Sequence, residues 1–287
     1  MADFNVSPYY DDFLVTGADG KKPQEKYYRI LFRPSVAIQA REMTQLQTTL
    51  QQQITNFGDH IFEEGAMVLP GGTALDLEYG FIKVNAVHNS ADVEGYRTDF
   101  QDIVITGQTN GVTAKVVGTA AASGSDALTL FVKYTNSGTN NTTKAFADNE
   151  VLTLRNRTGN AYIVAGNTIT SSSTGLGTRA TVGDGVIYHK GHFIRVASQS
   201  HIVSKYTTNP SKKVGFQTVE STVDSNADSS LQDNATGSTN FAAPGANRLK
   251  LFPTLASRDT GVANTATFFT ISELRDGVQI TNVKDTV

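Results

Sequence analysis

The 287-residue sequence contains no cysteine and no tryptophan, only seven prolines, and charged residues make up just 18% of it. Without cysteine there is no disulfide framework, no thiol nucleophile and no thiolate metal ligand. Lys and Arg number 24 against 27 Asp and Glu, a formal charge of −3 that gives no basic footprint for nucleic acid. No stretch approaches the roughly 18 apolar residues of a membrane helix, and the opening MADFNVSPYYDDF has no basic region followed by an apolar run. The expectation is a soluble protein made in the cytoplasm, with no membrane insertion and no nucleic-acid partner. What fills the chain instead is Gly, Thr, Ser and Asn, with fifteen Phe and ten Tyr to supply apolar area for a β-core.

One segment breaks this β-like style. From Ser35 to Phe62 the large apolar residues fall at Met43, Leu46, Leu50, Ile54, Phe57 and Ile61. Steps of 3, 4, 4, 3 and 4 repeat after eleven residues, about 3.67 per turn, which predicts a nearly straight helix with one apolar stripe. Pro34 disfavours helix at Arg33, Ser35 is suited to cap the start, and Gly65 to end it. Gly58, inside the last turns, costs about 1 kcal/mol relative to Ala. The flanks carry Gln39, Gln45, Gln47, Gln51, Gln52 and Gln53, polar groups that are cheaper to bury at a subunit contact than Lys or Glu. Such a helix either lies on its own β-domain or is shared between chains, and the uncharged flanks favour sharing.

The rest reads as strands and turns. Residues 1–34 form an extended arm broken at Pro8, Gly17, Gly20 and Pro23, with Phe4, Tyr9, Tyr10 and Phe13 as anchors for a partner surface. Residues 35–65 are the helix. Ala66 to Leu69 and Leu77 to Val87 are expected to pair as a first hairpin. Between 95 and 183, apolar runs at Ile103–Ile105, Thr113–Val117, Leu128–Val132 and Val151–Leu154 recur at about ten-residue intervals, the pattern of a small β-sandwich or barrel. This unit is expected to be inserted in a second, discontinuous β-domain, residues 66–94 and 184–287, that continues past the end of the chain. In that domain Gly185 to Val196 predicts a hairpin turning at Lys190-Gly191, and Asp224 to Asn247 is a long loop of the kind usually functional or ordered by a partner. The fold class is therefore mainly β with one long N-terminal helix.

No arrangement of residues specifies chemistry. His189 and His192 would oppose one another across the hairpin, but zinc needs a third ligand and none accompanies them. Asp224, Asp228 and Asp233 are ordinary turn residues in the long loop as readily as a carboxylate pair for glycoside hydrolysis. Gly175-Leu176-Gly177 and Gly17 to Lys21 lack the remaining positions of nucleotide-binding loops. No catalytic, cofactor or metal residue is expected, and the chain is read as a non-enzyme.

Several segments stand out in combination: Phe4 to Phe13, Leu31-Phe32-Arg33-Pro34 leading into Gln39 to Gln47, Phe57 to Phe62, Tyr188 to Val196, and Asp233 to Leu249. Together they resemble a family of virion structural proteins of contractile-tailed phages, especially cyanophages. The resemblance implies a baseplate wedge or tail-fibre anchoring component located in the virion. The helix stripe and the arm are expected to pack against copies of the same chain, a trimer being favoured, and against other tail or baseplate proteins. The alternative is a receptor-binding or glycan-binding fibre module whose loops hold a host surface glycan.

Overall fold

The computed structural model describes residues 28–69, 71–155 and 162–282. It is mainly β, with one helix near its N-terminus. Phe4, Tyr9, Tyr10 and Phe13, and most of the expected arm, lie outside the described residues. Residues 28–39 form no strand and run into helix α1, Ala40–Ile61. The helix therefore starts five residues later than Ser35. Ser35 has φ +66° and sits in a turn, whereas Gln39 is extended and its N–H donates to Glu42 Oε2 at 2.8 Å. A glutamate three residues into the helix satisfies an otherwise orphaned amide and favours the positive end of the helix dipole, which fixes the start there. At the other end Phe62 is extended, and Gly65, φ +86°, turns the chain towards the first strand.

Seventeen strands follow among the described residues. β1 (Met67–Leu69), β2 (Thr73–Val84), β3 (Val87–His88) and β4 (Ala91–Asp92) precede a 3-10 segment, Glu94–Phe100. Next come β5 (Val104–Gly107), β6 (Thr113–Ala120), β7 (Leu128–Asn136), β8 (Val151–Arg155), β9 (Tyr162–Asn167) and β10 (Thr174–Val182). β11 (Gly185–His189), β12 (His192–Val196), β13 (Gln199–Ser204), β14 (Lys212–Val223), β15 (Arg248–Asp259), β16 (Phe268–Arg275) and β17 (Val278–Asn282) complete the chain.

The largest sheet has the order β13-β10-β2-β7-β6-β5-β8-β9. Its strands from β2 to β9 curl until Thr168, just beyond β9, bridges back to Val84 at the end of β2. Alternate residues point into this curl, so Ile82, Val84, Ile105, Ala114, Val116, Leu128, Leu130, Leu152 and Leu154 make one core, plugged by Val93 and Phe100. Buried Glu150 ties down the loop beside it: Oε1 accepts from the N–H groups of Thr109 and Asn110 at 3.0 and 2.9 Å, and Oε2 from Ala147 at 2.7 Å.

A second core lies where three sheets meet. Met67, Ile187 and Ile194 come from the sheet β1-β11-β12, Ala180, Val182 and Val203 from the β10–β13 end of the large sheet, and Val214, Phe216, Leu255, Phe269 and Ile271 from the sheet β15-β14-β16-β17. β1 and β2 do not form the expected hairpin. β1 pairs with β11 and β2 with β7 and β10, because the 89 residues between the end of β2 and the start of β10 return the chain beside its starting point. The boundary expected at 183 falls just after β10, a strand paired with both β2 and β13.

Candidate assembly interface

The helix packs on the β11–β12 hairpin with the side that sequence reasoning passed over. Gln51, Thr55, Gly58 and Phe62 step by 4, 3 and 4, a second stripe of the same period as the apolar one but made mostly of small and polar groups. Gln51 Nε2 donates to Gly191 O at 2.7 Å, and Thr55 Oγ1 lies 3.3 Å from the same carbonyl. Tyr188 donates its hydroxyl proton to Asp59 Oδ1 at 2.5 Å, with the Thr55 carbonyl 3.1 Å away. Burial, together with the adjacent Asp59 carboxylate, pushes the Tyr188 phenol well above its ordinary pKa. The Phe62 ring closes the contact against Tyr188 and Phe193, at centroid distances of 5.7 and 5.5 Å.

The hairpin supplies its half through a two-residue turn. Lys190 and Gly191 have φ +53° and +75°, so His189 and His192 face one another as the sequence spacing requires. His189 is buried against Phe269 and pairs through Nδ1 with Glu64. His192 Nδ1 donates to Lys190 O at 2.8 Å. Burial alone would raise the Glu64 pKa, but the His189 interaction and the Lys190 N–H, 3.0 Å away, hold it below its ordinary value.

This contact leaves the apolar stripe pointing outward. Met43, Leu50, Ile54, Phe57 and Ile61 are 50, 55, 45, 62 and 50% exposed, and Leu46 is only partly covered. In the segment before the helix, Tyr28 and Leu31 are 76 and 75% exposed and Val36 and Ile38 are exposed as well. An amphipathic helix normally buries its apolar face against its own core. Here the polar stripe is buried and the apolar one is free.

The other candidates resolve into structural roles. Asp224 Oδ1 accepts from the N–H groups of Asn226 and Ala227, Asp228 Oδ1 from Ser230 and Asp233 Oδ1 from Ala235. The hydrogen bond from Ser230 holds the Asp228 pKa below its ordinary value. Backbone bonds between Asp233 and Ala243, from Ala242 to Asp233 and from Gly245 to Leu231 fold the long loop onto itself. Among the described residues no group of three His, Asp or Glu side chains converges on a metal-sized site, and no helix is long and apolar enough to cross a membrane.

Residues 142–286, from the loop before β8 to beyond β17, match the model of a domain of unknown function, DUF4815. No curated protein and no solved structure matches the chain.

Proposed function

This chain belongs to the DUF4815 family, and we propose that it is a non-enzymatic structural subunit of a phage tail, a baseplate wedge or fibre-anchoring protein. In this reading it assembles through the segment before the helix and the outward helix face. The observation that carries it is the inversion of the helix: Leu50, Ile54 and Phe57 stand in solvent while Thr55 and Gly58 are buried. Leaving that stripe wet forgoes about 25 cal/mol for each Å² that a partner would cover. The β-sheets serve as the rigid body that holds the helix in place, through Tyr188 and Gly191. The phage assignment rests on the resemblance of the arm, helix and loop segments described above, and the helix geometry supports the assembly role.

The test is placement in a particle. An antibody raised against the chain should label the tails of purified phage carrying its gene when viewed with immunogold. Label confined to infected cells and absent from complete particles would end the virion assignment.

A further inference from the structure

Resting on the assembly reading, we propose that the outward helix face is covered by further copies of this chain, with the helices parallel and in register. The area suffices for self-association. Ten large apolar side chains between Tyr28 and Ile61 are exposed, most by half or more. Three of the ten are aromatic, each able to withdraw about 150–250 Å² on full burial, and a mean of about 100 Å² over the ten, most of them aliphatic, gives roughly 1,000 Å². A stable interface needs about 800 Å² per partner.

Charge selects identical chains over a different partner. From Met43 to Gly58 the helix carries no charged residue. Interfaces between unlike chains draw selectivity from complementary charge, and nothing of that kind is present along this stripe. An apolar stripe with uncharged flanks meets its own copy without like-charge repulsion. A lipid surface fits less well, since helices that lie in membrane interfaces carry Lys and Arg on the polar face and Arg41 is the only one here.

Direction follows from the segment that leads into the helix. Tyr28, Leu31, Val36 and Ile38 all precede its N-terminus and are exposed. Parallel helices bring these segments together at one end of the bundle, where they cover one another. Antiparallel helices place them at opposite ends and leave them wet.

The absence of native cysteine makes the test clean. Met43→Cys, Leu50→Cys and Ile61→Cys are introduced singly into the 287-residue chain and treated with oxidant or a short bis-maleimide. In a parallel bundle each variant links to its own copies, and mixing tagged Met43→Cys with Ile61→Cys protein gives no mixed species. If Leu50→Cys links to itself while positions 43 and 61 link only to each other, the orientation is antiparallel and the inference falls, although self-assembly stands. No linkage at any position, with a monomeric mass by light scattering, removes the self-assembly claim altogether.

Discussion

The ring of Tyr188 fills the space that a Cβ on residue 58 would need: such an atom would lie 2.5 Å from Tyr188 Cζ. Helix propensity predicts that Gly58→Ala stabilises the protein by about 1 kcal/mol. Against this stands the cost of overpacking, about 1–3 kcal/mol, and Tyr188 is only 1% exposed and held by Asp59, so it has nowhere to go. The expected outcome of Gly58→Ala is a net loss of about 1–2 kcal/mol and a Tm lower by about 2–8 °C in thermal melts. A higher Tm would show that the ring yields and that the close approach is incidental.

Leu50→Asp tests the outward stripe. Because Leu50 is 55% exposed, the charge leaves the subunit's own fold unharmed. In a dry seam the same charge costs several kcal/mol. Oligomer mass by light scattering should therefore drop while the β-signal in circular dichroism is retained, and an unchanged mass would exclude the stripe from any contact between chains.

The joint between helix and hairpin should weaken in acid. Glu64 has a folded pKa below its ordinary 4.5. Its contribution is complete above the unfolded value and is lost as pH falls from about 4.5 through the lower folded pKa. Melting curves between pH 6 and 3 should show Tm falling more steeply in the native chain than in Glu64→Gln, which has no carboxylate to protonate. Parallel curves would mean that the Glu64 carboxylate and its contact with His189 contribute nothing.

Glu150 gives the opposite kind of case, a buried carboxylate whose partners are three backbone N–H groups. Glu150→Ala strands all three, each at about 1–3 kcal/mol, and should lower the unfolding free energy in urea by at least 3 kcal/mol. Glu150→Gln keeps one acceptor oxygen and turns an NH2 group towards the remaining donors, so its loss should fall between native and Ala. A Glu150→Ala loss below 1 kcal/mol would mean that the loop opens to water at little cost.

Topology provides a surgical test of the two cores. Lys83 N donates to Ser173 O at 2.6 Å, so the chain leaves β2 and re-enters at β10 across a single ladder step. Replacing residues 86–171 with a tight turn converts β2 and β10 into a hairpin and removes the first core. With Ile82 and Val84 changed to Thr for solubility, the remainder should still melt cooperatively through its second core, built around Phe216 and Phe269. An unfolded product by circular dichroism would show that the two cores are one cooperative unit.

The sequence by itself determined the local features. Eleven-residue repetition marked the helix and the residues of its stripe, alternation marked most strands, and Lys190-Gly191 set the hairpin that places His189 opposite His192. Each of these depends on neighbours within a turn or two, where periodicity and turn chemistry act directly. Tertiary structure alone decided what the stripe faces, because period reveals that a helix is two-sided but not which side finds the core. Here Tyr188 and the carbonyl of Gly191 bind the side bearing Gln51, Thr55 and Gly58. It also decided the cap of the helix at Gln39, through the Glu42 carboxylate, and the pairing of β2 with β10 across 89 intervening residues. Pairing over that distance is selected by which faces bury together, and no local signal in the sequence carries it.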